Sequence, residues 1–198
     1  MSDHPGFFDA TAMPDAGWWT ALWPDPGAVL TEVGLSAGID AVDLCCGDGW
    51  FTLPMAELAA HVLAIDIDVA LLNIARARLR DAGVQNCTLI AGDAFAIADF
   101  VSGPVDFVFL ANVFHGAPDK AGLATAITGV LKPGGRFAIV NWHRRPREET
   151  PVLGEPRGPR TELRMTPDEV VATVAPAGLQ PAYVVELPPY HYGAVFTR

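Results

Sequence analysis

The sequence predicts a doubly wound α/β fold: a mostly parallel, seven-stranded sheet with helices on both faces and a C-terminal antiparallel hairpin. Short apolar runs alternate with longer amphipathic segments through residues 41–141, which is typical of successive strand–helix units. A glycine turn follows the first apolar run, where open sheets of this kind bind ligands. Near the end of the chain, two apolar runs flank Pro188 and Gly193, which indicates a hairpin.

The first elements are predicted from proline, glycine and strand-like runs. Residues 1–20 are interrupted by prolines and glycines, and we expect this segment to follow the surface. Pro26 suits the first position of a helix over residues 26–33. After it we expect a strand at 41–44, a helix at 50–60 and a strand at 62–66.

The middle of the chain has the clearest periodicity. Residues 68–82 place leucines on one helical face and arginines on another, with Asp68 as the cap and Gly83 as the stop. Residues 105–111 are almost continuously apolar, which is typical of a central strand covered on both faces. The same reasoning predicts a strand at 88–91, a helix at 119–131 and a strand at 137–141.

The tail has a helix start that can be recognised from its residues. Thr166, Pro167 and Glu169 fit a capping box, in which Thr166 caps the helix and Glu169 reaches back to the cap. This helix is predicted to end near residue 175, and strands at 182–187 and 194–197 follow with a long or bulged turn between them. Without internal repeats, residues 1–198 are expected to form one domain.

Composition excludes several classes of protein. The chain has 198 residues, is 51% apolar and carries a formal charge of −10, so it lacks the basic footprint of non-specific nucleic-acid binding. No window approaches the roughly 20 apolar residues of a membrane helix, and no basic, apolar leader begins the chain. The three cysteines fit neither a disulfide framework nor a zinc site. We therefore expect a cytoplasmic protein with no metal and no nucleic-acid or membrane partner.

The turn after the first strand narrows the ligand class. It follows Asp43 and contains Gly47 and Gly49, which adopt backbone angles closed to other residues and let a ligand approach the main chain. A dinucleotide fingerprint would have glycine where this chain has Cys45 and Trp50, and no phosphate-loop lysine is present. We therefore expect a nucleoside ligand without a pyrophosphate, with S-adenosylmethionine as the leading candidate.

Four short motifs resemble those of the class I S-adenosylmethionine-dependent methyltransferases, in the family's order and at its spacing. They are DLCCGDG at 43–49, LAIDID at 63–68, GDA at 92–94 and LKPGGR at 131–136. One departure is that Cys45 stands where the family has its first glycine. The resemblance implies a cofactor-binding core at 36–142, an N-terminal lid or strap at 1–35, and an acceptor-side loop, helix and closing hairpin at 143–198.

Asp66 is the candidate for the ribose of the cofactor. A carboxylate at a strand end can accept hydrogen bonds from both ribose hydroxyls, and Asp66 ends the second predicted strand. Asp68 is the competing choice, although its place fits a helix cap better. Simple capping by Asp66 is the remaining alternative.

The resemblance implies further cofactor contacts. Ile67 would pack on the adenine, Asp93 would accept from its exocyclic amine, and the Ala94 amide would donate to a ring nitrogen. An N-cap before the next short helix is the alternative role of Asp93. Asp43 would hold the turn and the methionine ammonium, with backbone contacts from Asn112. The turn itself would contribute Cys45, Gly47 and Gly49.

A general base is needed only when the acceptor must lose a proton, and histidine has a suitable pKa. His115, three residues beyond Asn112, is the candidate catalytic residue, and an exposed loop histidine is the alternative. His143 is the second choice. The late hairpin also offers His191 between two tyrosines, where packing against the end of the sheet is the alternative role.

Two further segments are candidates for shaping the acceptor site. Trp18, Trp19 and Trp23 form either a lid over the cofactor or an apolar strap against the sheet. Six arginines between residues 144 and 164 would attract a carboxylate or phosphate. Glutamates lie among them, which favours an ordinary solvated loop.

Together these observations predict an S-adenosylmethionine-dependent methyltransferase with S-adenosylmethionine as cofactor and a small-molecule acceptor. A homodimer is compatible with the sequence. The alternatives are an NAD-dependent oxidoreductase, a non-catalytic S-adenosylmethionine-binding protein of the same fold, and an enzyme of this fold with other chemistry.

Overall fold

In a computed structural model that describes residues 7–198, seven strands form one sheet with helices on both faces. The strands of this sheet are β1 (Asp40–Leu44), β2 (His61–Asp66), β3 (Cys87–Ala91), β4 (Val105–Ala111), β5 (Leu131–Trp142), β8 (Gln180–Leu187) and β9 (His191–Thr197). The two strands β6 (Pro151–Val152) and β7 (Glu155–Pro156) form a separate hairpin. The surface path predicted for the first residues lies, for residues 1–6, outside the described part of the chain.

The helices alternate with the strands of the core. They are α1 (Ala16–Leu22), α2 (Pro26–Glu32), α3 (Thr52–Leu58), α4 (Val69–Asp81), α5 (Ile97–Phe100), α6 (Lys120–Val130) and α7 (Pro167–Val174). Short 3₁₀ turns lie at Ala94–Ala96, Phe114–Gly116, Arg147–Glu149, Thr161–Leu163 and Ala175–Ala177.

The sheet has the strand order β3-β2-β1-β4-β5-β9-β8. Neighbouring strands from β3 to β5 are parallel, whereas β9 is antiparallel to both β5 and β8. The predicted doubly wound sheet with its closing antiparallel hairpin is therefore confirmed. Since the chain runs outward from β1 to β3 and then returns to β4, a crevice opens at the carboxyl ends of β1 and β4.

Local capping explains where several helices begin. The Asp68 carboxylate accepts from Ala70 N at 2.8 Å and thereby starts α4, as predicted. At α7, Thr166 N donates to Glu169 at 2.8 Å while Glu169 N donates to the Thr166 hydroxyl at 3.2 Å. The predicted capping box is confirmed.

The structure differs from the predicted elements at several places, among them α1 and the start of the fifth strand. Helix α1 forms within the segment predicted to be irregular, where the Asp15 carboxylate accepts from Trp18 N and caps it. The fifth strand begins at Leu131, earlier than predicted, because Leu131 pairs with Val105 before residues 132–135 loop out of register. The predicted turn therefore exists as a bulge within β5.

Two apolar layers cover the sheet. Successive β1 residues alternate between them: Val42 and Leu44 belong to the layer that includes α6 and α7, and Ala41 to the layer that includes α1, α2 and α3. Burial on both faces explains why the strands are apolar almost throughout. Within the described residues, no helix has both the length and the apolar character needed to cross a membrane.

Candidate functional site

A cavity of about 1050 Å³ lies at the carboxyl ends of the central strands. Its floor comes from the turns that follow β1, β2, β3 and β4, and its other walls come from residues 7–19 and from the loop after β5. The site therefore sits at the crevice where strand order reverses, as the topology requires.

The turn after β1 has an unusual backbone. Cys45 has φ +59°, Gly47 has φ +55° and Gly49 has φ +80°, all in the left-handed region. Cys45 and Gly47 line the cavity, and a Cβ on Gly47 would lie 3.0 Å from the Met13 sulfur. Gly49 does not line the cavity; a Cβ there would lie 2.9 Å from the Ala75 Cβ of α4. Gly49 thus allows the helix to pack closely rather than a ligand to approach.

The Asp66 carboxylate fixes this turn. Its Oδ2 accepts from Gly47 N at 2.7 Å and its Oδ1 accepts from Asp68 N at 2.8 Å. Asp66 is buried but lines the cavity, and burial raises the pKa of its carboxyl. Each oxygen retains a lone pair for a further donor, such as a ribose hydroxyl. Asp68 also lines the cavity, and its side chain caps α4 as predicted.

Asp43 is buried at the base of the same turn. It accepts a hydrogen bond from the Thr52 hydroxyl at 2.6 Å. Burial raises the pKa of Asp43 to about 7, and the Thr52 bond opposes this while the charges of Asp66 and Asp48 add to it. A positively charged ligand in the cavity would favour its ionised form.

The turns after β2 and β3 form one end of the cavity. Ile67, Gly92 and Ala94 line it. Asp93 is exposed and does not line it; its Oδ1 accepts from Phe95 N at 2.9 Å and caps the short Ala94–Ala96 turn. The structure therefore shows the capping role that was the alternative for Asp93.

Asn112, after β4, lies in the middle of the cavity wall. It has φ +61°, and its backbone N–H donates to the Val140 carbonyl at 2.8 Å. The nitrogen and oxygen of its side chain are buried and have no hydrogen-bond partner among the described residues. A ligand with both donors and acceptors would satisfy them.

His115 is buried, not exposed as the alternative reading would have it, and it lines the cavity. Its Nε2 lies 3.3 Å from the Ala10 carbonyl, and its Nδ1 has no partner within residues 7–198. Burial lowers the pKa of His115, and interactions with Ala10 and Asn141 offset part of the effect. The ring is therefore neutral near pH 7 and available to accept a proton.

Comparisons with known proteins agree with this geometry. A family described as a methyltransferase domain matches residues 41–135. A demethylmenaquinone methyltransferase from Lactococcus lactis is 31% identical over 56% of this chain and 45% of its own length. A ubiquinone biosynthesis O-methyltransferase from Xylella fastidiosa is 30% identical over 66% of this chain and 56% of its own length. A crystal structure of an S-adenosylmethionine-dependent methyltransferase from Aquifex aeolicus, 25% identical, covers 92% of this chain and 93% of that one with a TM-score of 0.76.

These findings support a class I S-adenosylmethionine-dependent methyltransferase. The chain spans about half the length of the curated relatives it matches. Residues of three of the four shared motifs line the cavity, whereas Gly49 and Asp93 do not. The fourth motif, at 131–136, lies away from the cavity, with Lys132 paired with Asp106 at the start of β4 at 2.7 Å. The cofactor of the family is S-adenosylmethionine.

The described residues around the cavity fit that cofactor. Asp66 offers free lone pairs beside the apolar Ile67, as a ribose and a purine require. Gly47 has no side chain, so its backbone is what the turn presents to the cavity at this position. The unpartnered side chain of Asn112 and the buried carboxylate of Asp43 suit the charged amino-acid end of the cofactor.

The tryptophans near the N-terminus combine the two predicted roles. Trp19 and Trp23 are buried against Phe51, with ring centroids 6.5 Å and 5.8 Å from the Phe51 centroid. They therefore attach the N-terminal segment to the apolar layer that includes α2 and α3. Trp18 and Trp19 also line the cavity. Helix α1 is thus both a strap and a wall of the site.

The second-choice histidine, His143, and the aromatic residues of the late hairpin lie outside the cavity. His143 Nε2 lies 2.9 Å from Glu186, and His191 is buried with its ring centroid 4.1 Å from that of Trp142. Tyr190 stacks on Trp142 and Tyr192 donates to the Met165 carbonyl. The three hairpin residues thus pack against the end of the sheet, which was the alternative considered for them.

The arginine-rich segment is not the solvated loop that its composition favoured. Arg164 is only 1% exposed, and its guanidinium donates to the carbonyls of Pro159, Arg145 and Arg157 and to the Thr150 hydroxyl, at 2.9–3.0 Å. It also lies over the Trp142 ring, 5.0 Å from the centroid. One buried cation therefore organises the segment, and the β6–β7 hairpin forms within it.

Sequence reasoning missed the wall formed by the N-terminal segment. Asp9 N donates to the Gly116 carbonyl at 3.1 Å, which places Phe8 and Ala10 against the His115 turn. Gly116 permits this approach, since a Cβ there would lie 2.0 Å from the Asp9 carbonyl oxygen. The sequence signal that could have indicated this close approach of the backbone is Gly116, which directly follows the candidate histidine.

Proposed function

We propose that this chain transfers a methyl group from S-adenosylmethionine to a small-molecule acceptor. The observation that carries the proposal is the single cavity that joins Asp66 and the glycine turn to His115 and the segment after β5. The relatives named for demethylmenaquinone and for ubiquinone biosynthesis support a small organic acceptor.

The cofactor-binding role of the first half of the site is part of this proposal. Asp66 would accept from the ribose hydroxyls, Ile67 would cover one face of the adenine, and the Ala94 amide would donate to the ring. Asp43 and Asn112 would bind the amino-acid end, with Cys45 and Gly47 providing backbone in the turn. Burial raises the pKa of the Cys45 thiol, so it stays neutral and takes no nucleophilic part.

The bound cofactor supplies an electrophilic methyl group. The protein's own residues align an acceptor with it, exclude water and receive a proton where one is released. His115 is the proposed base: it is neutral, buried and beside Asn112 at the central crevice. An acceptor hydroxyl that hydrogen-bonds to a ring nitrogen of His115 would lose its proton to that nitrogen as the methyl bond forms.

The alternative functions have less support. An NAD-dependent oxidoreductase needs space for a pyrophosphate, but Cys45 and Trp50 line the cavity where the dinucleotide motif has glycines. A non-catalytic binder has no need of an acceptor compartment, whereas this cavity continues past His115 to the loop after β5. Its volume slightly exceeds the roughly 300–1,000 Å³ of a typical small-molecule pocket, which leaves room for a second ligand.

Calorimetric titration with S-adenosylmethionine, S-adenosylhomocysteine and NAD tests the ligand class. We expect the first two to bind and NAD not to bind; a preference for NAD would remove the assignment. A screen of small phenols, amines and thiols with a methyl-labelled donor then tests the activity. Binding of the donor with no transfer to any acceptor class would favour the non-catalytic alternative.

Location and assembly are also proposals. We place the protein in the cytoplasm, which the three free cysteines Cys45, Cys46 and Cys87 support. The acidic charge supports an assembly without nucleic acid. Light scattering of the purified protein would distinguish a homodimer from a monomer.

A further inference from the structure

We propose that the loop after β5 carries an anion-binding subsite, formed by Arg147 and Arg157, that holds a carboxylate or phosphate of the methyl acceptor. The inference rests on the proposed function and names the chemical class of its acceptor: a small molecule with an apolar, ring-sized body and one acidic group.

The order of the strands places these arginines at the acceptor end. Along the carboxyl edge of the sheet, residues from β3 and β2 flank the adenosine end, β1 and β4 flank the crevice, and β5 comes next. Adjacent strands are about 4.8 Å apart, so β5 lies about 14 Å from β2 but only about 5 Å from β4. Arg147 and Arg157 follow β5 and line the same cavity. They therefore lie beyond His115 as seen from the ribose side.

The two guanidinium groups lack acidic partners among the described residues. Arg147 Nε donates to the Gly158 carbonyl at 3.1 Å, and no carboxylate of residues 7–198 lies within ion-pair distance of either guanidinium. Arg157 Nε is buried without a hydrogen-bond partner in that part of the chain. In contrast, the neighbouring Arg160 is paired with Asp9 at 3.2 Å. A buried, unpaired donor is costly unless a ligand satisfies it.

The loop holds these groups in fixed positions. The Arg164 guanidinium binds the Arg157 carbonyl at 2.9 Å, and Arg157 N donates to the Thr150 carbonyl at 3.1 Å. Arg147 N donates its backbone hydrogen bond to the Thr161 hydroxyl at 3.1 Å. The buried Arg164 guanidinium also adds to the positive potential of the loop, which favours an anion.

The remaining walls define the rest of the acceptor. The Arg157 guanidinium lies 5.7 Å from the centroid of the Trp18 ring, and Trp142, which also lines the cavity, lies against Gly158 of the same loop. Asp43, Asp66 and Asp68 line the opposite end, whereas Asp9, which pairs with Arg160, and Asp15, which caps α1, line the wall formed by the N-terminal segment. Three carboxylates thus lie where the cationic cofactor would bind, and two guanidinium groups free of ion pairs within the described residues lie where the acceptor would bind. Aromatic walls with two guanidiniums suit an aromatic acid better than a neutral lipid.

The test uses benzoate, phenyl phosphate and neutral benzamide, titrated into the wild-type protein with and without saturating S-adenosylhomocysteine. We expect the two anions to bind and benzamide not to bind. In the Arg147→Gln/Arg157→Gln variant, anion affinity should fall about 10- to 100-fold, the loss expected for charge-assisted hydrogen bonds. The matched control is Arg145→Gln, an exposed arginine of the same loop outside the cavity, which should bind the anions like wild type.

Three outcomes would overturn the proposal. The anions fail to bind wild type; they bind the double variant as tightly as wild type; or the double variant loses affinity for S-adenosylhomocysteine but keeps it for 5′-methylthioadenosine, which lacks the amino-acid carboxylate. The last result would assign the arginines to the cofactor instead of the acceptor. The single variants Arg147→Gln and Arg157→Gln, with unfolding followed by circular dichroism, decide the question if the double variant does not fold.

Failure of the proposed function gives a different pattern. In that case neither S-adenosylmethionine nor S-adenosylhomocysteine binds wild type, whatever the anions do. Titration of benzoate into the ligand-free protein still reports on the arginines, so the two failures are separable.

Discussion

Replacing Asp66 by alanine perturbs both the stability of the protein and its affinity for the cofactor, and the structure separates the two effects. The carboxylate holds the backbone N–H groups of Gly47 and Asp68 at 2.7 Å and 2.8 Å. The methyl group of alanine accepts no hydrogen bond, so both N–H groups lose their partner. The same change removes the proposed acceptor of the two ribose hydroxyls.

The magnitudes follow from hydrogen-bond energetics. An unsatisfied buried donor costs about 1–3 kcal/mol, and the variant leaves two such donors. The variant also no longer buries the Asp66 carboxylate, and this gain offsets part of the cost of the two unsatisfied donors. We expect the free energy of unfolding to fall by about 2–3 kcal/mol on this basis. Loss of the ribose contacts should weaken S-adenosylhomocysteine binding by about 1–3 kcal/mol, or roughly 5- to 150-fold in Kd.

Urea unfolding measures the first effect and isothermal titration calorimetry at a temperature where the variant is folded measures the second. Asp48→Ala is the matched control, since Asp48 is also buried in the turn and accepts from Trp50 N and Arg78 but does not line the cavity. It should lose stability and keep its cofactor affinity. Equal affinities of Asp66→Ala and Asp48→Ala would refute the ribose role.

Three other predictions concern protons and the loop after β5. The pKa of Asp43 is raised to about 7, so the folded protein binds more protons than the unfolded chain, and its contribution to stability falls as pH rises from 3.8 to about 7. The cationic cofactor should therefore bind more tightly as pH rises towards 7. Below that pH its binding should release the proton of Asp43, which calorimetry in buffers of different ionisation enthalpy detects, and Asp43→Asn should abolish this release. His115→Gln should lower kcat for a hydroxyl acceptor about 10²- to 10⁴-fold at unchanged KM for the donor. Because burial lowers the pKa of His115, the wild-type rate should decline only at a pH below 6.5, the ordinary pKa of histidine. Equal turnover of the wild type and the His115→Gln variant would show that His115 is not the base. Arg164→Met should destabilise the protein by about 3 kcal/mol and expose the 143–163 loop to proteolysis, since four loop oxygens lose their donor; unchanged digestion would contradict this.

Local signals in the sequence were sufficient for most of the fold. Caps at Asp68 and Thr166, the apolar run of β4 and the hairpin signal all predicted elements that the structure contains. Each of these signals depends on residues that are only a few positions apart, so it can be recognised in the sequence without knowledge of the fold. Helix α1 was missed because nearby proline and glycine argue against a helix, whereas burial of Trp19 and Trp23 stabilises it.

The site was predictable where it belongs to the turns that follow the strands, and less so elsewhere. Asp66, Gly47 and Asn112 reach the cavity because parallel strands bring their carboxyl ends to one edge. Asp93 and Gly49 have the expected residue types, but one caps a 3₁₀ turn and the other faces α4.

The sequence by itself determined the order of strands and helices, the glycine turn and the carboxylate at the end of β2, because periodicity, capping and turn chemistry act between near neighbours. Only the tertiary structure decided that His115 is buried, since residues 9–10 reach it across more than a hundred positions of chain. Likewise, only the fold turned Arg164 into a buried anchor and left Arg147 and Arg157 facing the cavity. Burial and the pairing of distant polar groups depend on how layers pack, which no local pattern encodes.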